Sequence, residues 1–336
     1  MPTICVYGAG SIGCYLGGRL AAAGADVILV GRERIGAEIA EHGLRLTDLD
    51  GGDVRVEQVR FETDPGAAAG ADLVLVTVKS AATAAVGSAL AGVLSPGAVV
   101  VSFQNGLSNA DVLREQLSQR VLAGMVPFNV VHREAGWFHQ GSEGALEVAR
   151  DPALAPYVAS FAAAGLPLTQ HPDMDAVLWA KLMLNLNNPV NALSGLPLKQ
   201  ELSQHDYRAV LSLAQRELLA VGAAAGRRAA KLTPLPPAWV PRLLLLPDVV
   251  FRAVAQSMLA IDPVARSSMW EDLELGRTTE IDWISGEVVR LGALHGVPTP
   301  VNQALVRMVR DAERGGRRDW GAAELLEAVR DGRGRT

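Results

Sequence analysis

A lysine and an asparagine interrupt an otherwise apolar stretch in the second half of the chain. Every residue of 177–186 is apolar except Lys181 and Asn185, which are four apart. The pattern predicts a buried helix that carries both polar groups on one face. Burial would lower the pKa of Lys181 and make it a better proton donor to a developing alkoxide. The alternative is a lysine whose ammonium reaches the surface, but Leu178 and Leu184, predicted to flank Lys181 on the same side, favour burial.

A second group of polar residues follows in 266–282. Ser268 and Glu271 have the spacing of a capping box, which is a sufficient structural reason for the serine. A continuous helix over 268–295 would place Glu280 on an apolar stripe with Leu273, Gly276, Ile284, Val288 and Leu291. We therefore expect Glu280 to bind a substrate or ribose hydroxyl in a cleft between two domains, within reach of Lys181. The alternative is an internal salt bridge.

Ser268 and Glu280 cannot both touch one small substrate on a straight helix. At ~1.5 Å of rise per residue they would lie ~18 Å apart. Both can bind the same molecule only if the chain bends between them, and Gly276 is the candidate for that bend.

The chain begins with a pattern that suits a dinucleotide. A short apolar segment, 3–7, leads into Gly8-Ala9-Gly10-Ser11-Ile12-Gly13 and then into a helical pattern. Strand, glycine turn and helix form the context in which such a turn binds a pyrophosphate at the helix N-terminus. The alternative, a glycine-rich turn without a ligand, explains the order of these elements less well. We expect this turn, Gly8 to Gly13, to bind the cofactor.

Three polar residues follow predicted strands of the same region. Arg32 comes just after the second strand, where an arginine suits the 2′-phosphate of NADP, although Glu33 beside it would suit a free ribose hydroxyl. Lys79 and Asn105 follow the strands 71–78 and 98–103. Ligands of open α/β sheets bind at the carboxyl ends of strands, so both should meet cofactor or substrate. The alternatives are ordinary loop charges for Arg32 and Lys79, and an Asn-Gly turn for Asn105.

The order of patterns predicts an α/β fold in which an N-terminal Rossmann dinucleotide-binding domain, 1–170, precedes an all-helical C-terminal domain, 171–336. Strands are predicted at 3–7, 26–30, 71–78, 98–103 and 121–126, with a hairpin insert over 43–62 and short β segments around 137–139 and 145–148. Helices are predicted over 175–187, 207–232 and 268–295. A proline-rich segment, 233–263, is expected to be a lid or a subunit contact, and the tail from Arg310 a solvated helix with a frayed end.

The ordered set of motifs resembles the ketopantoate reductase (2-dehydropantoate 2-reductase) family. The matching pieces are the glycine turn, Thr77-Val78-Lys79, Gln104-Asn105-Gly106, Trp179-Ala180-Lys181-Leu182 with Asn185, and Ser267-Ser268-Met269 with Glu280-Ile281-Asp282. They extend from residue 3 to about 310, and as a set they are more specific than any one alone.

This resemblance implies an activity and roles for residues. It implies NADPH-dependent reduction of 2-dehydropantoate, with Lys181 as general acid and Glu280 as a functional carboxylate. Asn105, Asn185 and Ser268 would bind substrate, and Asn105 and Lys79 would lie where cofactor and substrate meet. The family's second asparagine comes four residues after the first and just before a proline. Here that spacing is one residue shorter, so Asn188 is a candidate for the role and Asn187 and Asn191 stay open.

Composition excludes several other classes. The chain has 336 residues, 49% hydrophobic and 20% charged, and a net charge of −5, which favours neither nucleic acid nor an anionic membrane. Cys5 and Cys14 are expected to be buried and reduced, no metal site is expected, and a strand that begins at residue 3 predicts a cytoplasmic protein without a signal peptide. The expected partner is a small 2-oxo acid, with a homodimer as a further expectation. The alternatives are a related reductase of another oxo acid and a dinucleotide sensor without turnover.

Overall fold

The computed structural model describes residues 2–232, 235–254 and 264–331. The chain divides into two compact units, Met1–Met174 and Asp175–Thr336. The first unit is α/β and the described part of the second is helical, which confirms the predicted fold class.

Twelve strands in two sheets lie within the described residues of the first unit. The larger sheet has the order β12-β11-β8-β7-β6-β1-β2-β5 and the smaller one β4-β3-β10-β9. The strands are β1 (Thr3–Tyr7), β2 (Asp26–Val30), β3 (Leu44–Thr47), β4 (Asp53–Val56), β5 (Arg60–Glu62), β6 (Leu73–Val76), β7 (Val99–Ser102), β8 (Arg120–Met125), β9 (Val130–His132), β10 (Trp137–Gln140), β11 (Leu146–Ala149) and β12 (Leu168–His171). The helices are α1 (Ser11–Ala22), α2 (Glu33–His42), α3 (Thr83–Ala91), α4 (Asn109–Arg114) and α5 (Val158–Ala163).

The larger sheet is parallel apart from the pairing of β11 with β8. All four residues of β6 and of β7 are buried, as expected of strands covered on both faces. The pairing of Val76 with Ser102 brings the carboxyl ends of these two strands side by side. The sheet therefore delivers the segments after β6 and β7 to one edge, as the sequence predicted.

The insert after α2 differs in part from the predicted hairpin. β3 and β4 form the expected antiparallel pair, and their turn includes Gly51, whose φ is +84°. The last strand of the segment, β5, instead pairs in parallel with β2 at the edge of the larger sheet. Periodicity alone did not separate these two destinations, because a three-residue strand carries almost no pattern. β9, also of three residues, and β12, of four, were not predicted.

The described part of the second unit consists of helices. They are α6 (Met174–Asn185), α7 (Asn187–Ser194), α8 (Leu198–Leu202), α9 (His205–Ala224), α10 (Val240–Leu243), α11 (Asp248–Val254), α12 (Ser268–Glu274), α13 (Ser285–His295), α14 (Pro300–Glu313) and α15 (Ala322–Asp331). The helix predicted over 175–187 ends at Asn185, and the one predicted over 207–232 ends at Ala224, just before Gly226, whose φ is +67°. A left-handed glycine ends a helix without steric cost, which explains the early stop.

The predicted continuous helix over 268–295 is wrong. α12 ends at Glu274, Gly276 has a φ of +59°, a single 3-10 turn covers Ile281–Trp283, and α13 begins only at Ser285. The chain therefore bends near Gly276, where the distance argument required it.

The tail from Arg310 contains a helix, as predicted, but this helix is not wholly solvated. The predicted frayed end falls on residues that the structure does not describe. α14 continues through Arg310 to Glu313, and α15 packs on α9 with Leu325, Leu326 and Val329 buried. Apolar side chains three or four apart on a charged helix are enough to attach it to the fold. Residues 332–336 lie outside the described residues.

A buried arginine anchors the described part of the proline-rich segment. Arg208 of α9 is fully buried and donates hydrogen bonds to the carbonyl oxygens of Leu244 and Leu246, at 3.0 and 2.7 Å. It also pairs with Asp248 at 2.9 Å and lies over the ring of Phe251. These contacts attach the segment to the helical unit. The predicted lid or subunit contact stays a prediction, and residues 233–234 and 255–263 of the segment lie outside the described residues.

Candidate functional site

The glycine turn after β1 is shaped by close contact with the end of β6. Gly8 has a φ of +119°, and a Cβ there would lie 2.6 Å from the amide nitrogen of Val78. A Cβ at Gly13 would lie 2.7 Å from the hydroxyl oxygen of Thr77, which itself donates a hydrogen bond to the carbonyl of Gly8 at 2.8 Å. Side chains would break this packing, so both positions require glycine.

Gly10 is different, because the protein leaves space beside it. The nearest protein atom to a Cβ there is the carbonyl oxygen of Gly8, at 4.0 Å. α1 has no side-chain cap and no acidic residue in its first turn. Its first intrahelical bond runs from the Cys14 N–H to the Gly10 carbonyl, so the earlier N–H groups, Ser11 to Gly13, have no acceptor within the helix. Open space and unused donors at a helix N-terminus fit a pyrophosphate.

The N–H of Ala9, another predicted cofactor contact, is already used inside the fold. The amides of Gly8 and Ala9 both donate to the carbonyl of Val30, at 2.9 Å. Ala9 is also buried, and a Cβ at Gly31 would approach its side chain to 2.6 Å. Ala9 therefore joins the turn to the end of β2.

Arg32 and Glu33 are both exposed where β2 passes into α2. Arg32 immediately precedes the helix, and Glu33 is its first residue. Neither side chain is buried in the fold, so both are open to a ligand. The choice between a 2′-phosphate and a free hydroxyl stays a prediction.

Lys79 and Asn105 lie on adjacent loops that follow β6 and β7. Lys79 is exposed and Asn105 half-buried. The hydroxyl of Ser80 donates to the Asn105 carbonyl at 2.9 Å, and the amide of Asn109 donates to the same carbonyl at 2.5 Å. The two loops are therefore tied together at the backbone of Asn105.

Two further buried side chains, Gln104 and Thr83, also join the loops that follow β6 and β7. The amide of Gln104 donates to the carbonyl of Val78 at 3.0 Å and to the hydroxyl of Thr83 at 2.7 Å. The Thr83 hydroxyl donates to the side-chain oxygen Oδ1 of Asn109 at 2.7 Å. Sequence reasoning missed these supporting residues. Two positions in the sequence could have indicated them: Ser80 directly follows Lys79, and Asn109 follows Asn105 by one helical turn.

Lys181 lies in α6, as predicted, and burial lowers its pKa from 10.5 to about 8. The helix is not buried on every side, because Leu184 is 40% exposed. The expectation that Leu184 helps to bury the lysine is therefore wrong. The Lys181 side chain is itself partly exposed. An ammonium that is desolvated but accessible is suited to donate a proton near neutral pH. Asn185, one turn further along α6, is buried.

The three asparagines after Asn185 have different environments. Asn187 and Asn191 are buried, and their amides donate to Glu201 at 3.0 and 3.3 Å. Asn188 is partly exposed, and its carbonyl accepts a hydrogen bond from Ser267 at 3.3 Å. Since Asn187 and Asn191 are held inside the fold, Asn188 is the one of the three best able to meet a ligand.

The residue that caps α12 is Ser267, so the prediction of a capping box at Ser268 and Glu271 is wrong. The hydroxyl of Ser267 accepts the N–H of Trp270 at 3.2 Å. Ser268 is the first helical residue and is exposed. Adjacent serines are equally good caps, so sequence alone could not choose between them. The shift removes the structural reason for Ser268 and leaves its hydroxyl open to a ligand.

Glu280 does not lie on an α-helix, so the apolar-stripe argument for its role is wrong. It is half-buried and immediately precedes the 3-10 turn Ile281–Trp283, where its carbonyl accepts the N–H of Trp283 at 3.0 Å. Its predicted catalytic role stays a prediction that now depends on the resemblance alone.

The remaining sequence expectations concern thiols, metals and membranes. Cys5 and Cys14 are buried free thiols, as predicted, and burial raises the pKa of both to about 12. Over residues 2–232, 235–254 and 264–331, no group of three or more histidine, cysteine or acidic residues could hold a metal ion. Within the same ranges, no helix is both long enough and apolar enough to cross a bilayer.

The parallel sheet, the glycine turn and the helical second unit define a Rossmann-like dinucleotide-binding protein with a helical C-terminal domain. Comparison with known families identifies the family within this class. The ketopantoate reductase PanE/ApbA model matches residues 4–152, and the model of the C-terminal part of the same family matches residues 173–313. The chain belongs to the ketopantoate reductase family.

Individual relatives agree with this assignment. The 2-dehydropantoate 2-reductase of Halobacterium salinarum is 31% identical over 321 residues, covering 93% of this chain and 99% of the relative. The crystal structure of a PanE/ApbA family ketopantoate reductase from Ralstonia eutropha JMP134 has a TM-score of 0.81 and 35% identity, covering 93% and 99% of the two chains. D-mandelate dehydrogenase with NADH and anilino(oxo)acetate shares the fold at a TM-score of 0.78 and 18% identity, over 93% and 99%.

The family consists of oxidoreductases that act on a CH–OH group and use a nicotinamide dinucleotide. A small-molecule substrate fits an enzyme of this kind. The features of the glycine turn, above all the open space at Gly10 and the unused donors of α1, fit the pyrophosphate of such a cofactor.

Proposed function

We propose that this protein catalyses the NADPH-dependent reduction of 2-dehydropantoate to (R)-pantoate, in the route to pantothenate and coenzyme A. The observation that carries the proposal is Lys181, an accessible lysine with a pKa lowered to about 8 in a member of the ketopantoate reductase family. Without an acid, reduction of a ketone would leave an alkoxide in the site. A dinucleotide sensor would have no use for such a group.

The proposed reaction joins one hydride and one proton to the substrate ketone. The bound nicotinamide supplies the hydride to the ketone carbon. Lys181 transfers a proton from Nζ to the ketone oxygen and becomes a neutral amine, which bulk water reprotonates. Asn185, Asn188 and Ser268 hold the substrate, and Glu280 accepts a hydrogen bond from one of its hydroxyls. The chain's own contribution is positioning and electrostatics.

The cofactor part of the proposal concerns the first unit. The N–H groups of Ser11, Ile12 and Gly13 hold the pyrophosphate in the space that Gly10 leaves. Gly8 and Ala9, whose N–H groups bond the Val30 carbonyl, shape the turn around it. Arg32 pairs with the 2′-phosphate of NADPH. Lys79 and Asn105 meet the nicotinamide ribose and the substrate. Two predictions accompany this proposal: a homodimer formed through the helical unit, with the proline-rich segment as a lid or a subunit contact, and a cytoplasmic location.

One measurement tests the activity. NADPH absorbance is followed with a panel of 2-oxo acids that includes 2-dehydropantoate, and the configuration of the product is determined by chiral chromatography. We expect 2-dehydropantoate to give the highest kcat/KM and (R)-pantoate to be the product. Preference for another oxo acid would instead support a related reductase. The shortened spacing between Asn185 and Pro189 is the sequence feature that favours this alternative. NADPH binding without turnover on any of the acids would support a sensor.

A further inference from the structure

The helical unit contains a carboxyl group with no cationic partner among its hydrogen bonds. Glu201 of α8 is fully buried, and its Oε2 accepts two hydrogen bonds, from the side-chain amides of Asn187 and Asn191, at 3.0 and 3.3 Å. Among the described residues its other oxygen, Oε1, has no hydrogen-bond partner. Two neutral donors are little compensation for a full negative charge in the interior. Burial accordingly raises the pKa of Glu201 to about 8, so the group is uncharged at neutral pH.

One of the two amides connects Glu201 to the beginning of α12. Asn191 accepts the backbone N–H of Ser267 on its Oδ1 at 2.9 Å, while its Nδ2 donates to Glu201 and to the carbonyl of Leu196. The orientation of the Asn191 amide is therefore fixed on both sides. Through this single side chain, a carboxyl on α8 holds the residue that caps α12.

The capping residue in turn connects α12 to α7. The hydroxyl of Ser267 accepts the Trp270 N–H at 3.2 Å and donates to the Asn188 carbonyl at 3.3 Å. Ser268 and Asn188, the exposed candidates for substrate binding, are thus neighbours of groups held by one buried network. The network joins α7, α8 and α12. Asn188 is its most exposed candidate for substrate binding, because Asn187 and Asn191, the other two asparagines considered for that role, are buried within it.

We propose that Glu201 is a positioning residue that holds Asn188 and Ser268 in place through Asn187, Asn191 and Ser267. The statement about substrate rests on the proposed function. The statement about the α12 N-terminus does not, because it concerns hydrogen bonds within the helical unit.

Three variants of Glu201 test the proposal. Glu201→Gln is the neutral isostere and should retain the network, whereas Glu201→Ala and Glu201→Met remove the acceptor. Methionine fills the volume, so it separates loss of the hydrogen bonds from the cavity that alanine leaves. Glu217→Gln and Glu217→Ala are the matched controls, because Glu217 is another buried carboxylate of the same unit. It caps α14 instead, through the N–H groups of Val301 and Asn302 at 2.9 and 3.0 Å.

The first measurement is hydrogen exchange, which needs no assumption about substrate. We expect Glu201→Ala and Glu201→Met to speed exchange of the Ser267 amide at least tenfold, while Glu201→Gln stays within about twofold of wild type. Glu217→Ala should speed exchange at Val301 and Asn302 and leave Ser267 unchanged. Equal exchange at Ser267 in wild type and Glu201→Met would overturn the positioning role, whatever the activity.

The second measurement is steady-state kinetics of the same variants with NADPH and 2-dehydropantoate. Glu201→Met should raise KM for the oxo acid about tenfold, as expected for the loss of one well-placed contact, while the Kd for NADPH stays within about twofold of wild type. Glu201→Gln should restore KM. A KM unchanged in Glu201→Met, with faster exchange at Ser267, would show that the network does not position the substrate residues. A wild-type protein inactive on 2-dehydropantoate would refute the proposed function and leave the exchange result standing.

Discussion

The positions of the candidate site residues were easier to predict from the sequence in the sheet unit than in the helical unit. In the sheet unit, the glycine turn, Lys79 and Asn105 lie where their strands were predicted to deliver them. In the helical unit, Lys181 lies on the predicted helix, but Ser268 and Glu280 have surroundings that the sequence did not predict. A parallel sheet brings the carboxyl ends of its strands to one edge, so predicting the strands also predicts where the residues after them lie. A helical unit has no such rule, because the position of each residue depends on where helices stop.

The two units also differ in the roles that we propose for them, because Lys181 lies in the helical unit and the glycine turn in the sheet unit. We expect substitutions in the helical unit to change the chemical step and substrate binding, and those in the sheet unit to change coenzyme binding.

The largest expected effect is on Lys181. Lys181→Ala should lower kcat about 10²–10⁴-fold, the usual contribution of a general acid, while NADPH still binds. The measurement is kcat from NADPH absorbance, together with the Kd for NADPH from fluorescence or calorimetry. A nearly normal kcat, or a protein that does not fold, would end the assignment. Lys199→Ala is the matched control, because Lys199 is an exposed lysine of the same unit and its loss should change neither quantity.

The next effect concerns Arg32 and coenzyme choice in the sheet unit. Loss of one charge-assisted bond to a 2′-phosphate is worth about 1.5–3 kcal/mol, so Arg32→Ala should raise KM for NADPH about 10–100-fold. KM for NADH should change little, because NADH has no 2′-phosphate. The same measurement on Arg34→Ala, which removes an exposed arginine two residues later, is the control. Equal losses with both coenzymes would remove Arg32 from coenzyme selection.

The helical boundaries show in physical terms what the sequence could not predict. Gly276 was identified as a possible bend by a distance argument, but nothing in the apolar periodicity of 268–295 required a stop there. Ser267 and Ser268 are equally suited to cap α12, and only the buried hydrogen bonds of Asn191 and Asn188 decide between them. Such tertiary contacts are absent from a one-dimensional pattern. The residue types at the candidate site were therefore easier to predict than the environment of each.

A smaller effect is expected at Glu280, which lies outside the α-helices and immediately precedes a 3-10 turn. Glu280→Gln keeps the shape and removes the charge, and we expect kcat/KM to fall about tenfold, a barrier increase of ~1.4 kcal/mol. The melting temperature should equal or exceed that of wild type, since functional carboxylates are often retained at a cost in stability. Asp282→Asn is the control, because the exposed Asp282 pairs with Arg310 at 2.5 Å on the surface. A strongly destabilised protein with normal kcat/KM would make Glu280 a structural residue.

The smallest effect is the pH dependence of the wild-type reaction. The proton donor must be the charged form of Lys181, whose pKa burial lowers to about 8. The rate of reduction should therefore be constant well below pH 8, fall about twofold by pH 8, and fall about tenfold for each further pH unit. The measurement is kcat for reduction at saturating substrate over this range, with proof that the protein stays folded.

Glu201 complicates this interpretation, because its pKa is also raised to about 8 and its ionisation would place a charge in the network behind Ser267. Two variants separate the causes. Glu201→Gln cannot ionise, so a fall in rate near pH 8 that persists in this variant belongs to Lys181. Lys181→Arg stays charged throughout the range, so its residual rate should be independent of pH if Lys181 is the titrating group. A pH profile that becomes flat in Glu201→Gln would transfer the titration from the proton donor to the positioning network, and the chemical role of Lys181 would then rest on the alanine substitution alone.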